Sequence, residues 1–459
     1  MKNGHLSHWL DSTRDLSRTR QRIEGSTQAD VVIIGGGYTG LWTAYWTKKQ
    51  DPSLDIVVLE KEFVGYGASG RNGGWISGKT VGLRRNLMSE SVSAEQVLEI
   101  ERTCHHAVFE IDDLMAAAGK DIDAHRGGWM QIARSDSEFS RLRSHVEEDR
   151  SWGLTEDEIA LLSAEETYDR IHVPGVQGAV YSPYSVKCNP AKLVYALAEL
   201  CEDLGVKIYE NSPVEEFSDG DCQTTRGHVR GSVVVLATEG YTSALPGRKR
   251  DQLPMVSSMV VTERIPESQW ESIGWSGYEC LSGAQHIYFY AQRTADNRIA
   301  IGGRGVPYFW GSRFDTSGEL DPGTTSQLGE ILQGLFPTVP IKLAHSWRGV
   351  LGVPRDWSPF IDYSKANRLV RVGGYAGQGV TASYVAGRTV AGLISEQDSS
   401  LTGSAWVRNM PRKWEAEPLR WIGSRSVQMM YKAADTIEHR RGGADTSVFG
   451  RLATKISGR

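Results

Sequence analysis

Two glycine-rich stretches and one acid carry the most specific chemistry in this 459-residue chain. Gly35-Gly36-Gly37-Tyr38-Thr39-Gly40 fits G-x-G-x-x-G, and Glu60 stands 20 residues beyond Gly40. In that pattern Gly35 permits a tight turn, Gly37 lets the backbone approach a pyrophosphate, and Gly40 lets a helix pack on a strand. An acid at the position of Glu60 can accept both hydroxyls of an adenosine ribose, which suits a free 2′-hydroxyl and not a 2′-phosphate. The second stretch, Gly65-Tyr66-Gly67-Ala68-Ser69-Gly70-Arg71-Asn72-Gly73-Gly74, suits a backbone wrapped along a long phosphate–ribityl chain. Arg71 can neutralise phosphate there and Ser69 can donate to it. A plain NAD domain would proceed to its next helix at this point, so the loop favours FAD.

Those residues need a strand–turn–helix–strand frame, and the sequence supplies one. Asp30-Val31-Val32-Ile33-Ile34 is a β-branched apolar run of the kind buried on both faces of a parallel sheet. LWTAYWTKKQ follows with helical spacing and breaks at Asp51-Pro52; Ile56-Val57-Val58-Leu59 is a second strand ending on Glu60. Farther on, Val186-Lys187-Cys188-Asn189-Pro190 leads into a helix that opens near Pro190 and stops at Gly205. A strand at Val206–Tyr209, a proline turn at Ser212-Pro213-Val214 and a buried strand from Ser232 into the turn Ala237-Thr238-Glu239-Gly240-Tyr241 come next. Leu369-Val370-Arg371-Val372 then stops at the glycines of 373–379, and VTASYVAGRTVAGLI begins a helix whose N-terminus aims bare N–H groups at an anion. Reduced flavin is such an anion, with its charge around N1 and the C2 carbonyl.

GGGYTG, LEKEFVGYGASGRNGG and GGYAGQGV together resemble the D-amino-acid-oxidase-like flavoproteins, which include sarcosine and glycine oxidases and, nearest in pattern, γ-glutamylputrescine oxidases. The resemblance spans about residues 25 to 425. It implies FAD contacts at Gly35, Gly37, Tyr38, Thr39, Gly40, Glu60, Lys61, Ala68, Ser69, Arg71, Asn72, Gly73 and Gly74. It also places Val214 near the adenine, Ala237 and Thr238 beside the pyrophosphate, and Gly377, Gln378, Gly379 and Val380 against the isoalloxazine. Members often carry His where this chain has Gln378, which can hydrogen-bond but cannot titrate. With no His or Cys between Glu60 and Lys79, the FAD is expected to be non-covalent.

The expected fold class is α/β: a Rossmann-like FAD-binding domain, discontinuous in sequence (1–85, 186–249 and 346–400), with an inserted α+β substrate domain on a mostly antiparallel sheet (86–185 and 250–345). Residues 401–459 form a helical basic extension. RGGWMQIA at 126–133 reads as a strand, and Gln285–Ala291 with Arg298–Gly303 as a hairpin turning near Asp296-Asn297. Alternation puts Ile287, Phe289 and Ala291 on one face and Tyr288 with Tyr290 on the other. The tyrosines are either an aromatic wall over the flavin or a half-exposed sheet face. Arg304 is either a bidentate carboxylate clamp or a surface arginine. Trp75 and Trp347 are either pocket walls or core filler. Tyr288, Gln378 and Trp347 are the pocket candidates; the flavin itself carries the chemistry and no catalytic side chain is assigned.

Such a site predicts oxidation of a C–N bond in an amine or amino acid by hydride transfer to flavin N5, with O2 or another acceptor reoxidising the flavin. The alternatives are a flavin monooxygenase and a flavin-binding module without amine oxidase activity. Composition bounds the partners. A net charge of −5 gives no overall basic field for nucleic acid. Only residues 404–459, with 11 Lys and Arg against 5 Asp and Glu, form a basic patch. That amphipathic tail is expected to pack on its own catalytic body or on a homodimer mate, ahead of a membrane. Five scattered cysteines, 11 histidines without metal-ligand spacing, and no apolar leader or membrane span point to a metal-free cytoplasmic enzyme without integral membrane association.

Overall fold

The computed structural model describes residues 1–459 except 15–18, 83, 90, 304–307, 315, 442, 444 and 458–459, with 85 and 441 described by backbone alone. Its first sheet runs in the order Val214–Ser218, Asp221–Thr224, Gly227–Leu236, Gly25–Ile34, Ile56–Leu59, Lys207–Tyr209. Val31–Ile34 and Ile56–Leu59 are buried without a break and pair in parallel, as a continuous β-branched run suits when both faces are covered, one by helices and the other by strand and loop residues such as Ile23, Cys222 and Val229. The first strand begins at Gly25, five residues before its apolar run. Its polar start is held by parallel pairing of Gly25–Ala29 with Gly227–Gly231, a tertiary contact that no local apolar signal announces. Leu369–Gly373 pairs in parallel with the far end of Gly227–Leu236, on the edge away from Gly25–Ile34, and so brings a distant segment into the same sheet one strand from the first.

The helices Tyr38–Gln50, Pro190–Asp203 and Gly379–Ile394 bury one core against this sheet. Asn189 caps the second of them, accepting from Ala191 and Lys192 N–H, with Pro190 in its first turn. Ala94–Ala117 joins the same core through Val97, Ile100, Cys104, Val108 and Ile111, although its sequence falls in the span expected for the substrate domain.

The second sheet has nine strands, in the order Lys2–Asn3, Leu343–Val353, Leu253–Thr262, Ile299–Gly303, Phe289–Arg293, Cys280–Gly283, Trp129–Ala133, Gly178–Ser182, Ala160–Ser163. Six of its eight pairings are antiparallel, so the α/β class with a mostly antiparallel second sheet holds. Two expectations shift. Leu343–Val353 runs through the expected boundary at 346, because it pairs along its length with Leu253–Thr262 of the second sheet. The hairpin strand starts at Phe289 and not at Gln285, because His286 and Ile287 donate their backbone N–H groups to Asp435 of the C-terminal helix (2.8 and 3.1 Å) and have none left for a ladder. Phe289 and Ala291 do face the core.

The tail is helical at Leu419–Arg441 and Val448–Ser457 and docks on the catalytic body. Glu438 is buried and pairs with Arg141 and with His286 Nε2 (3.0 Å). Among the described residues no helix is long and apolar enough to cross a membrane.

Candidate active site

The first glycine turn is built by contacts that exclude side chains. Gly35 lies at φ +114°, and a Cβ there would stand 2.6 Å from Ala237 O; a Cβ on Gly40 would stand 2.0 Å from Gly35 O. Helix Tyr38–Gln50 thus rests directly on the turn, and Ala237 N donates to Ile34 O (2.9 Å) beside it. Ser69 reaches in from the second loop, where its Oγ accepts the Tyr38 N–H at 2.9 Å. Glu60 accepts from Gly36 N at 2.7 Å and Glu62 N at 2.9 Å. Burial pushes its carboxyl up to about 7, against the pull of those two bonds. Gly35, Gly37, Gly40, Glu60, Ser69 and Ala237 therefore meet around one turn. Thr238 lies next to it, its hydroxyl 2.8 Å from Thr242. Val214 opens the edge strand and packs with the Val32, Ile34 and Leu59 cluster. Lys61 does not join them: its side chain is largely exposed and lies 3.7 Å from Glu62.

The second loop contains a 3-10 turn, Ala68–Gly70. Asn72 closes it, donating from Nδ2 to Ser69 O (2.8 Å) and Ala68 O (3.2 Å) while its Oδ1 accepts from Gly74 N (2.8 Å). Buried Gln292 donates to Gly73 O (2.6 Å) and Cys188 O (3.1 Å), tying the loop to the second sheet. Arg71 is buried, donates to Tyr66 O (2.8 Å) and His5 O (3.1 Å), and makes no carboxylate ion pair among the described residues.

Across from this loop stands the late glycine turn. Gly373, Gly374 and Gly377 have φ of +154°, +86° and +106°, and Gln378 occupies the N-cap of Gly379–Ile394 without a side-chain cap bond. Thr39 meets Tyr375 at 3.5 Å between hydroxyls, so the two distant glycine segments touch. Glu239 fixes the turn: Oε1 accepts from Gly374 N (2.9 Å) and Tyr375 N (3.2 Å), and Oε2 from Gly352 N (2.7 Å). Burial pushes its carboxyl up to about 7. Sequence reasoning passed over Glu239 as part of a small-residue turn; an acid closing a buried apolar strand was the available signal.

Between the two turns lies a cavity of about 600 Å³, within the range that holds a small-molecule ligand. Ala68, Arg71, Asn72 and Gly73 line one side, Ala376, Gly377, Gln378 and Val380 another. Trp75, Trp129, Tyr288, Tyr290, Trp357 and Trp414 form aromatic walls. Tyr290 sits edge-to-face with Trp75 at 6.2 Å, and its hydroxyl is 2.7 Å from Ser257 Oγ; burial pushes that phenol up to about 12. Tyr288 borders the cavity at 41% exposure. Trp347 is a correction. It is fully buried and outside the cavity lining, packs edge-to-face on Trp9, and donates from Nε1 to Arg71 O at 2.9 Å: it shares a strand face with Gly349, Leu351 and Val353, which do line the cavity, but lies farther along the strand, where Trp9 and Leu10 cover it. Arg304 lies outside the described residues. The walls Trp129, Trp357 and Trp414, and the ion pair Arg355–Glu415 (3.0 Å) at the cavity, were not read from the sequence; they come from separate segments with no shared motif. The cradle fits an extended anionic dinucleotide: two helix N-termini opening from glycine turns, glycines that leave room for no Cβ, and buried Arg71, which has no carboxylate partner among the described residues.

Residues 30–393 match the family model described as FAD dependent oxidoreductase, and the chain belongs to that family. It is 26% identical over 402 residues to gamma-glutamylputrescine oxidoreductase of Escherichia coli (strain K12), covering 85% of this chain and 89% of that protein. It is 24% identical over 381 residues to sarcosine oxidase subunit beta of Arthrobacter sp, covering 81% and 88%. The crystal structure of glycine oxidase from Geobacillus kaustophilus superposes with a TM-score of 0.66 at 21% identity, over 81% of this chain and 96% of that one, which shows the shared fold. The protein is thus an FAD-dependent oxidoreductase.

Proposed function

We propose that this enzyme oxidises a C–N bond of a small amine or amino acid, with the substrate bound between the aromatic walls and the Gly373–Gly379 turn. The observation that carries the reading is one cavity bounded at once by Ala68, Arg71, Asn72 and Gly73 of the second loop, by Gly377 and Gln378 of the late turn, and by Trp75, Tyr288 and Tyr290. Its relatives' names, gamma-glutamylputrescine oxidoreductase and sarcosine oxidase subunit beta, support that substrate class. FAD, held without a covalent link, supplies the two-electron acceptor for a hydride from the carbon next to nitrogen. Gly35–Gly40, Glu60, Ser69, Ala237 and Thr238 would hold its adenosine diphosphate half, Arg71 would neutralise its phosphate, and Asn72, Gly73 and the Gly377–Val380 turn would hold its ring system.

The aromatic walls exclude water and so depress an amine's pKa, presenting the neutral form whose lone pair drives C–H cleavage. The first turn of Gly379–Ile394 directs unpaired N–H groups at negative charge, the arrangement that favours electron uptake at that end. Gln378 can orient substrate or ring by hydrogen bonding and holds no proton to exchange. No protein nucleophile is required. O2 or a separate acceptor takes the electrons afterwards. Five buried, unpaired cysteines support a reducing cytoplasmic setting.

The test is an anaerobic panel of amines, N-methyl amino acids, amino acids and aminophosphonates, following loss of the flavin's visible absorbance. Bleaching by one class, with one equivalent of imine-derived carbonyl product, supports the proposal; a flavin that no amine bleaches but that consumes NADPH with a hydroxylated product overturns it.

A further inference from the structure

Beyond residue 393 the chain leaves the family match, and there its surface changes character. Seven of the twelve large apolar residues that stand exposed among the described residues fall between 419 and 456. On Leu419–Arg441 these are Leu419, Ile422 and Met429, spaced along one face of the helix. On Val448–Ser457 they are Val448, Phe449, Leu452 and Ile456. At about 100° per residue those four lie within a ~100° arc, Arg451 and Lys455 border one edge of it, and Gly450 with Ala453 form the face turned to the body. A helix needing only a packing partner inside the protein would turn this stripe inward, as Ala94–Ala117 does.

The charges are sorted in the same sense. Asp435 and Glu438 point inward, spent on the His286 and Ile287 N–H groups and on Arg141, His286 and Ser447. Lys432, Arg440, Arg451 and Lys455 are exposed, and Asp445 is the one exposed acid between 419 and 457. The outward face is therefore apolar with a basic border, on a chain whose remainder is acidic. Two copies of this face related by a two-fold axis would set basic border against basic border, with Asp445 as the one exposed acid against Lys432, Arg440, Arg451 and Lys455 on each. An anionic phospholipid surface supplies both the negative charge and the apolar layer.

We infer that the Leu419–Ser457 helices are a peripheral docking face for an anionic phospholipid bilayer. Leu419 and Ile456 belong both to this face and to the cavity lining, so docking sets the rim of the reaction cavity at the lipid interface.

The full-length flavin-loaded protein is sedimented with vesicles of phosphatidylcholine alone and of phosphatidylcholine with about 30% phosphatidylserine. The expected result is co-sedimentation with the anionic vesicles, several-fold less with the neutral ones, and release by salt. Two double variants, Phe449→Asp with Leu452→Asp and Arg451→Glu with Lys455→Glu, each lower the bound fraction on the order of tenfold, with amine turnover and circular dichroism unchanged. Should the first variant misfold, the charge-reversed one carries the test, because both of its side chains are exposed. Equal binding to both vesicle types, or full binding by the charge-reversed variant, overturns the inference. So does a protein that ignores vesicles but is a dimer in solution and becomes monomeric on Phe449→Asp; that result makes the face a contact between copies.

Discussion

Glu239 gives the sharpest prediction, because it is largely shielded from water and its carboxylate ties three backbone N–H groups from two segments to one turn. Its folded pKa is raised from 4.5 to about 7. The folded chain therefore holds a proton that the unfolded chain has released between those values, and stability falls as pH rises through that window. A rise of that size corresponds to about 3 kcal/mol, fully expressed above about pH 7 and absent below about pH 4.5. Glu239→Gln cannot ionise, so this slope disappears. Its amide oxygen can serve Gly374 and Tyr375 but sets its NH2 against the Gly352 N–H, an orphaned buried donor that costs about 1–3 kcal/mol at any pH.

The flavin-free variant should therefore be less stable than wild type by about 1–3 kcal/mol near pH 5 and about equal to it near pH 8. Urea unfolding of both proteins across that range measures the difference directly. Glu60 titrates in the same direction in both and cancels from the comparison. A stability difference that stays constant with pH would refute the reasoning, since it would mean that Glu239 is ionised in both folded and unfolded chains throughout.

Three further outcomes are expected. Gly40→Ala places a Cβ 2.0 Å from Gly35 O and 3.1 Å from Ile33 Cγ2, so the helix must lift off the turn; the protein should purify with little FAD and lose about 1–3 kcal/mol in thermal unfolding. Wild-type affinity for FAD should strengthen as pH rises through 7, because the ionised Glu60 is the better acceptor for ribose hydroxyls, whereas Glu60→Gln should bind about ten- to a hundredfold more weakly with no such pH dependence. Titration by fluorescence quenching reads both. Tyr290→Phe removes a hydroxyl 2.7 Å from Ser257 in the cavity wall and should change kcat/KM several-fold while moving thermal stability by less than about 1 kcal/mol, as steady-state kinetics and calorimetry would show.

The cofactor half of the site was legible because its determinants are local. Glycines, strand, helix and acid lie within 31 consecutive residues, Asp30 to Glu60, and each follows from backbone geometry at that spacing. The second sheet was legible as a class and less so in its edges. The Gln285–Ile287 strand start failed because Asp435, about 150 residues away, takes the backbone donors. Trp347, open between pocket wall and core filler, is core: it shares a strand face with cavity-lining Gly349 and Leu351, but the N-terminal Trp9 covers it, a contact no local pattern announces. The N-terminal lead-in looked only polar, yet Ser7 caps a short helix, Ser7 Oγ donates to Gly70 O at 2.5 Å and Trp9 donates to Asn72 O at 2.9 Å. The cavity's outer walls were illegible because Trp129, Trp357 and Trp414 meet only through the fold.

The most direct test of the central claim is the content of the purified protein itself. Denaturing it with acid and separating the supernatant by chromatography should release intact FAD at a stoichiometry near one per chain, with no flavin left on the pellet. Protein that releases none and takes up none on reconstitution, or that releases NAD instead, would contradict the account.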